Sequence, residues 1–515
     1  MSQFDLRKEP WIPCLTNEGQ REMSLVNVLT EAHNIRELVG DSPPVTIALH
    51  RLLLAILHRI YRGPQDADEW NSLYTAGRFD AEKVTSYFDA FHDRFDLFHE
   101  THPFYQTPTV REKVKDGAVI KLYFHSGNNA TLFDHTSTLN PKELSPAEAA
   151  RLVLMIQAFD TGGQITGDDG ADSAKAAPLI QSAIALIRGE SLFETLMLNL
   201  HRYCGEDRAP FVFDEDEDLP AWERDEPTIR GSRLPSGPVD LLTWRSRRVA
   251  LEPEENKDGK LVVRKAVVMA GHSFPDGMEI HTRETMMAFR KSKDGRMFSV
   301  GFSESRDLWR NSLSLLKAVD IAEGSRPRML DWISQLRSNG YLQRNRLPVD
   351  FCGIAADKAK LLFWNHERFD LPLAYLEDND LTLRLGTCLE VSESIGSALR
   401  AGVKVLADAL ETERETFSTE ANFWSQMELR FHRLLAELPE KGDEEMIAWF
   451  RDTQRIAREA LQKTLNSLSG SAAENKAGVE AEKKLNKEIG NAIRRNNTEW
   501  APYLPERFEV KGGNQ

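Results

Sequence analysis

Residues 389–411, LEVSESIGSALRAGVKVLADALE, carry apolar side chains at helical spacing: Val391, Ile395, Leu399, Val403 and Leu406 fall on one face. Three further stretches, 421–438, 443–468 and 478–496, show the same amphipathic pattern. Short polar or Gly/Pro/Ser-containing joints separate them. Four such helices with short connections are the sequence form of an up-down bundle, and the Ser/Ala/Gly-rich residues 467–478 then read as one of its loops. Upstream of 373–387 the character changes. Residues 260–270 (KLVVRKAVVMA) and 296–302 are rich in strand formers, and Lys293-Asp294-Gly295 supplies a turn between strands. Helices are expected over 44–61, over 69–89 and after Pro178. Another is expected over 146–159, where Ser145 and Glu148 form a capping box. This last helix runs into a glycine-rich loop, 161–167. The fold class is therefore α+β: a large mixed domain over 1–375, followed by a four-helix bundle over 376–515.

The chain has 515 residues, and 65 basic against 80 acidic side chains give a net charge of −15. At about 100–200 residues per domain, that length implies two to four domains. Apolar residues at 41% and charged residues at 28% describe a soluble globular protein. No apolar run is long enough to span a membrane. The N-terminus, MSQFDLRKEPWIP, lacks the apolar core of a signal peptide. Cys14, Cys204, Cys352 and Cys388 are far apart without pairing rhythm, which suggests reduced thiols and a cytoplasmic setting.

Taken whole, the charge argues against nucleic acid, because affinity for phosphate backbones comes from Lys and Arg displacing counterions. Its distribution argues otherwise. Residues 227–348 hold 22 basic and 14 acidic side chains, 22 − 14 = +8, whereas residues 1–226 hold 21 and 37, 21 − 37 = −16. The basic middle contains Arg230, Arg233, Arg245, Arg247, Arg248, Arg264, Lys265, Arg290, Lys291 and Lys293. It reads either as a solvated cluster or as an electrostatic footprint for nucleic acid.

Catalytic motifs do not emerge. His99-Glu100-Thr101-His102 lacks the i, i+4 spacing of a zinc helix, and Pro103 follows it. The acidic run 214–218 is one contiguous block and reads as a solvated loop rather than an ion cage. No phosphate-binding P-loop and no G-x-S-x-G elbow occur. The reading is a non-catalytic protein with no cofactor and no metal. Gly162 and Gly163 are either a helix C-cap or a place where main chain approaches another polymer closely.

Several segments together resemble one family, the large subunit (CasA) of the type I-E CRISPR Cascade surveillance complex. They are Phe4-Asp5-Leu6 with Trp11-Ile12-Pro13, His102-Pro103-Phe104-Tyr105-Gln106-Thr107, and residues 126–135, SGNNATLFDH. Their order and spacing extend through the glycine loop, the basic β region and the C-terminal helices. The resemblance implies a subunit that recognises the protospacer-adjacent motif (PAM) of double-stranded DNA from the minor groove. It implies a role in starting unwinding and R-loop formation, and in recruiting the helicase-nuclease. The implied partners are the other Cascade subunits, the CRISPR guide RNA, target DNA and that nuclease.

By the same resemblance, Gly162 and Gly163 match a glycine loop and Lys265 a lysine finger. Asp357, Lys358 and Ala359 match a hairpin tip, where Lys358 replaces a glutamine wedge. Asn128, Asn129, Leu132, Phe133 and Asp134 match a loop contacting guide RNA and a neighbouring subunit. Arg290, Lys291 and Lys293 are candidates for the DNA backbone. The alternative is a protein–protein scaffold whose basic surface docks an acidic partner without reading DNA; a hydrolase using dispersed carboxylates is more distant.

Overall fold

The longest apolar run of the chain folds as the helix Pro43–Tyr61, whose faces are almost entirely buried. In the computed structural model, residues 4–116, 119–123, 143–203, 214, 216–304, 306–316, 324–357 and 360–504 are described. Contacts divide the chain into two units. One comprises Met1–Leu308 with Val319–Arg368, the other Trp309–Ala318 with Phe369–Gln515. The architecture is mixed α+β, and no described helix is long and apolar enough to cross a membrane.

In the first unit, Pro43–Tyr61 packs on Pro146–Phe159. The latter carries the expected capping box: Glu148 N donates to Ser145 Oγ at 3.2 Å, and Ser145 N to Glu148 Oε2 at 2.9 Å. Burying a helix on all sides forces its polar groups to find partners within the protein. Arg51 (4% exposed) meets Glu284 (2% exposed), donating to both carboxylate oxygens at 3.1 Å and to Leu241 O at 3.0 Å. His50 and His58 are also buried, and desolvation pushes each pKa down to about 3, so both rings are neutral.

Three expectations need correction. Residues 69–89 form two helices, Ala67–Thr75 and Ala81–Ala90. Gly77, at φ +69°, turns the chain between them, and Asp80 caps the second by accepting from Glu82 N and Lys83 N. After Pro178 comes a strand, Ala183–Ile187; the helix begins only at Leu192. Every residue of that strand is buried, and a short continuous apolar run fits a strand covered on both faces as well as a helix. It pairs antiparallel with Arg346–Asp357, from Val349↔Ile187 to Gly353↔Ala183, while Lys360–Pro372 forms the other edge of this sheet. Finally, the acidic run is not wholly solvated. Asp218 is fully buried, accepting from Val239 N and Asp240 N, each at 2.9 Å, and from the Tyr203 hydroxyl at 3.0 Å.

The second unit contains four long helices, Asn379–Ala409, Thr419–Lys441, Asp443–Asn466 and Ala472–Arg495. The first packs against each of the other three. It starts ten residues before the expected 389 because Asp378 caps it, accepting from Asp380 N and Leu381 N. Its glycines permit close approach. A Cβ on Gly396 would lie 2.5 Å from Trp424 Cζ2, and one on Gly402 would lie 3.0 Å from Ala481 O. Between the second and third helices, Arg430 pairs with Glu445 at 2.6 Å and Asp452 at 2.8 Å.

Two stability tests follow from these buried charges. Replacing Glu284 with Gln leaves Arg51 charged and unpaired, which is expected to cost about 3–5 kcal/mol in urea unfolding of the first unit. Asp350 lies in the strand Arg346–Asp357. Burial alone would raise its pKa, but hydrogen bonds from His366 and Arg368 and the charge of Arg188 outweigh this. The carboxyl is held well below its ordinary 3.8. Its pairing therefore stabilises the fold above about pH 4 and is lost as pH falls through the depressed value. Asp350→Asn is expected to flatten the acid limb of a stability-against-pH curve measured by denaturant titration.

Candidate nucleic-acid interface

The site is built on a four-stranded sheet ordered Gly170–Ala174, Gly163–Gly167, Leu261–Ala270, Arg247–Glu255. The last two strands form a long antiparallel hairpin, in register from Arg247↔Ala270 to Glu252↔Lys265. At Pro253 the partner becomes Val263, so Arg264 is an extra residue, a β-bulge. Lys265 thus faces Glu252. Its Nζ is 3.4 Å from Glu252 Oε2, and the two side chains are 45% and 46% exposed.

The segment 102–107 clamps this hairpin. The Gln106 side chain is buried; its Nε2 donates to Leu97 O at 2.5 Å and its Oε1 accepts from Leu251 N at 2.9 Å. Thr107 N donates to Val249 O at 2.7 Å, and Arg245 donates to Gln106 O and Thr107 Oγ1 at 2.7 and 2.9 Å. Phe104 packs against Trp11, whose indole N–H donates to Leu6 O at 2.9 Å. These signature segments hold the core rather than present a surface.

Gly162 and Gly163 do not cap the preceding helix, which ends at Phe159 with Asp160 as its cap. The expected loop is instead a turn into the strand Gly163–Gly167. Gly163 has φ +137°, a region that L side chains rarely adopt. A Cβ on Gly162 would lie 2.8 Å from Ala176 N and 3.1 Å from Ala174 O. The glycine strand runs parallel to the lysine strand through the Thr166↔Met269 bridge. Counting back, Gly162 and Lys265 each precede that bridge by four residues (166 − 162 = 269 − 265 = 4).

The structure therefore brings Gly163 and Lys265 onto one sheet, with Gly162 immediately before the first strand residue. Asp357 ends a strand of a different sheet, but its neighbour Ala356 accepts through its carbonyl from Gln181, seven residues beyond the glycine hairpin. Lys358 and Ala359 lie outside the described residues, as do Asn128, Asn129, Leu132, Phe133 and Asp134. Arg290, Lys291 and Lys293 belong to a separate hairpin, where Phe289–Lys291 pairs with Met297–Ser299. All three are exposed, and among the described residues none makes a salt bridge.

The expected basic strip is largely neutralised from within. Arg247 is buried against Asp160 at 2.6 Å; Arg248 grips Asp168 with two bonds at 3.1 and 2.9 Å. Arg230 pairs with Asp172 at 2.8 Å, and Arg233 pairs with Asp240 while lying 4.2 Å over the Trp244 ring. Arg264 is held between Glu143 and Glu254. Hydrogen bonding from Arg248 keeps the Asp168 carboxyl below its ordinary pKa. A segment sum records cations and misses acids that arrive from elsewhere in the chain.

Sequence reading also missed Glu252. The turn at 256–259 shows that a hairpin exists, but regular pairing around it (255↔261, 254↔262, 253↔263) would set Glu252 opposite Arg264. Only the bulge moves it to Lys265. Glu252 also borders an open hollow of about 680 Å³ shared with Arg111, Gln106 and Leu251.

These features define a class: a large two-unit α+β protein whose distinctive surface groups are a glycine turn and isolated cations. Among the described residues no three His, Cys, Asp or Glu side chains gather as a metal site would need. The chain belongs to the CRISPR-associated protein Cse1 family, which matches residues 5–465. It is 30% identical over 531 residues to the CRISPR-associated protein CasA/Cse1 of Thermus thermophilus, with 96% of this chain and 99% of that protein aligned. The structure is similar to that of Thermobifida fusca Cse1, with a TM-score of 0.81 at 25% identity, covering 96% of this chain and 98% of the other. A chain of a CRISPR RNA-guided surveillance complex shares the fold at 21% identity, with a TM-score of 0.75 over 94% of this chain and all of its own.

The glycine turn offers a direct test. Gly163→Ala should cost about 1–3 kcal/mol through its positive φ. Faster amide hydrogen exchange confined to residues 163–174 is the expected signature, with the hairpin at 247–270 still protected.

Proposed function

We propose that this chain is the non-catalytic large subunit of a type I-E Cascade surveillance complex, working in the cytoplasm, and that it recognises the PAM of duplex DNA from the minor groove. The observation that carries this reading is the placement of Gly162 and Lys265 at equal distance from one bridge of one sheet, in a chain of the Cse1 family. Main chain bared by glycine can approach a groove floor, and a lysine beside it can donate to base edges or phosphate. Minor-groove edges separate A·T from G·C but little else, so such a reader tolerates several motifs.

The tip residues Asp357, Lys358 and Ala359 are assigned to wedging the duplex open. Unstacking costs a few kcal/mol per step, offset once the guide RNA pairs with the target strand. The loop containing Asn128, Asn129, Leu132, Phe133 and Asp134 is assigned to the guide RNA and a neighbouring subunit. The four long helices are read as an up-down four-helix bundle, and the whole subunit as a platform for the helicase-nuclease. Arg290, Lys291 and Lys293 are assigned to the DNA backbone. The scaffold alternative needs a broad uncovered basic face, and the internal pairing of Arg230, Arg233, Arg247, Arg248 and Arg264 leaves it little.

The test is Lys265→Ala in the assembled complex. Losing one charged hydrogen bond should weaken binding to PAM-bearing duplex by about 10- to 100-fold. The melting temperature should hold, because an exposed pair such as Lys265–Glu252 contributes little to stability. Wild-type affinity in this variant would overturn the reading.

A further inference from the structure

Glu252 has no part in the contacts assigned above, yet the ladder fixes it directly across from Lys265. We propose that Glu252 is a specificity-determining residue: its carboxylate is an internal stand-in for DNA that restrains Lys265 until a correct groove is offered. This rests on the Lys265 reading and deepens it.

The register makes Glu252 unavoidable for any ligand of Lys265. Directly opposed residues of an antiparallel pair have Cβ atoms about 4.5–5.5 Å apart, so a polyanion reaching the ammonium group also meets the carboxylate. Breaking the 3.4 Å pair therefore has two consequences. Lys265 must find acceptors at least as good as Glu252 Oε2, and the released carboxylate is left beside phosphate. Both groups are only about half-exposed, so solvent screens that repulsion incompletely. A duplex that offers phosphate alone gives back an equivalent ion pair and adds the repulsion. One that presents acceptors on its groove floor draws the ammonium group off the phosphates, so the carboxylate opposite it meets less of that repulsion. The carboxylate thus subtracts more from binding to the wrong duplex than to the right one, which is how a repulsive element produces discrimination.

The arrangement is specific to this pair. Arg264, the next residue, is occupied by Glu143 and Glu254. The bulge at Arg264 is what gives Lys265 a carboxylate of its own.

The experiment compares wild type, Glu252→Gln, Lys265→Ala and the double variant, each in the assembled complex. Binding to PAM-bearing and PAM-less duplex is measured over a salt series. Glutamine keeps the size of the side chain and removes its charge. The expected result is that Glu252→Gln tightens binding to PAM-less duplex by about three- to tenfold and to PAM-bearing duplex by less. The discrimination ratio then falls, and the slope of log K against log salt steepens by about 0.9. In the Lys265→Ala background most of that gain should disappear.

An unchanged discrimination ratio in Glu252→Gln overturns the inference while the Lys265 assignment stands. A gain that persists undiminished without Lys265 also overturns it, because Glu252 would then act as a general repulsive charge. If Lys265→Ala alone binds PAM-bearing duplex like wild type, the assignment of Lys265 fails and this inference fails with it. Equal thermal melting of the four proteins establishes that each is folded.

Discussion

The buried amide of Gln106 is the constraint on which the candidate interface depends. An amide removed from water must have its donors and acceptor matched, or it costs the full desolvation penalty. Gln106 places one amide N–H on Leu97 O on one side and accepts from Leu251 N on the other. Leu251 precedes Glu252, so the clamp fixes the strand one residue before the carboxylate that faces Lys265. Thr107 N on Val249 O and Arg245 on the Gln106 carbonyl extend the same joint. Satisfying a core polar group and aiming a surface lysine are here one structural act.

The same economy governs charge. Helices and strands that bury arginines bring acids with them, because an unpaired buried cation is costly. Arg247 and Arg248 find Asp160 and Asp168, which lie at either end of the glycine strand, so their pairing also ties that strand to the one two places away across the sheet. The exposed cations Arg290, Lys291 and Lys293, without a salt bridge among the described residues, stand on a short hairpin outside that network. Charge that holds the sheet together is separate from charge free to meet a partner.

The sequence shows some of this plainly and hides the rest for definite reasons. The capping box at Ser145 and the strands of 260–270 and 296–302 are legible because each rests on local chemistry. So are the four long helices, apart from two early starts: Asp378 caps the first, ten residues sooner than expected, and Ser471 with Glu474 caps the fourth at Ala472, so that the expected loop over 467–478 is helical in its second half. The strand Ala183–Ile187 is not legible as a strand, since five buried apolar residues have no period to read. The single helix imagined over 69–89 breaks because Gly77 and Asp80 act together, one turning the chain and one capping anew. At the site, Gly162, Gly163 and Lys265 can be named from resemblance, yet the sheet that Gly163 shares with Lys265 comes from a crossover pairing of strands nearly a hundred residues apart. Glu252 is hidden behind one inserted residue in a ladder. Local rules do not carry information about a bulge, and a bulge decides which cation receives which acid.

A net charge of −15 and a largely neutralised basic region mean that this chain by itself offers a polyanion little long-range attraction. In the proposed complex that weakness is useful. Guide RNA and neighbouring subunits would hold the DNA nearby, so the local contact works at a high effective concentration and need not be strong. A strong basic face would keep the complex on any duplex it met, because counterion release rewards every phosphate equally. A glycine turn contributes no charge, and a lysine already matched to a carboxylate contributes little until it exchanges partners. Contacts of that kind add affinity mainly where groove shape and acceptors fit, and so, on the proposed function, the acidity of the chain would leave discrimination to a small site.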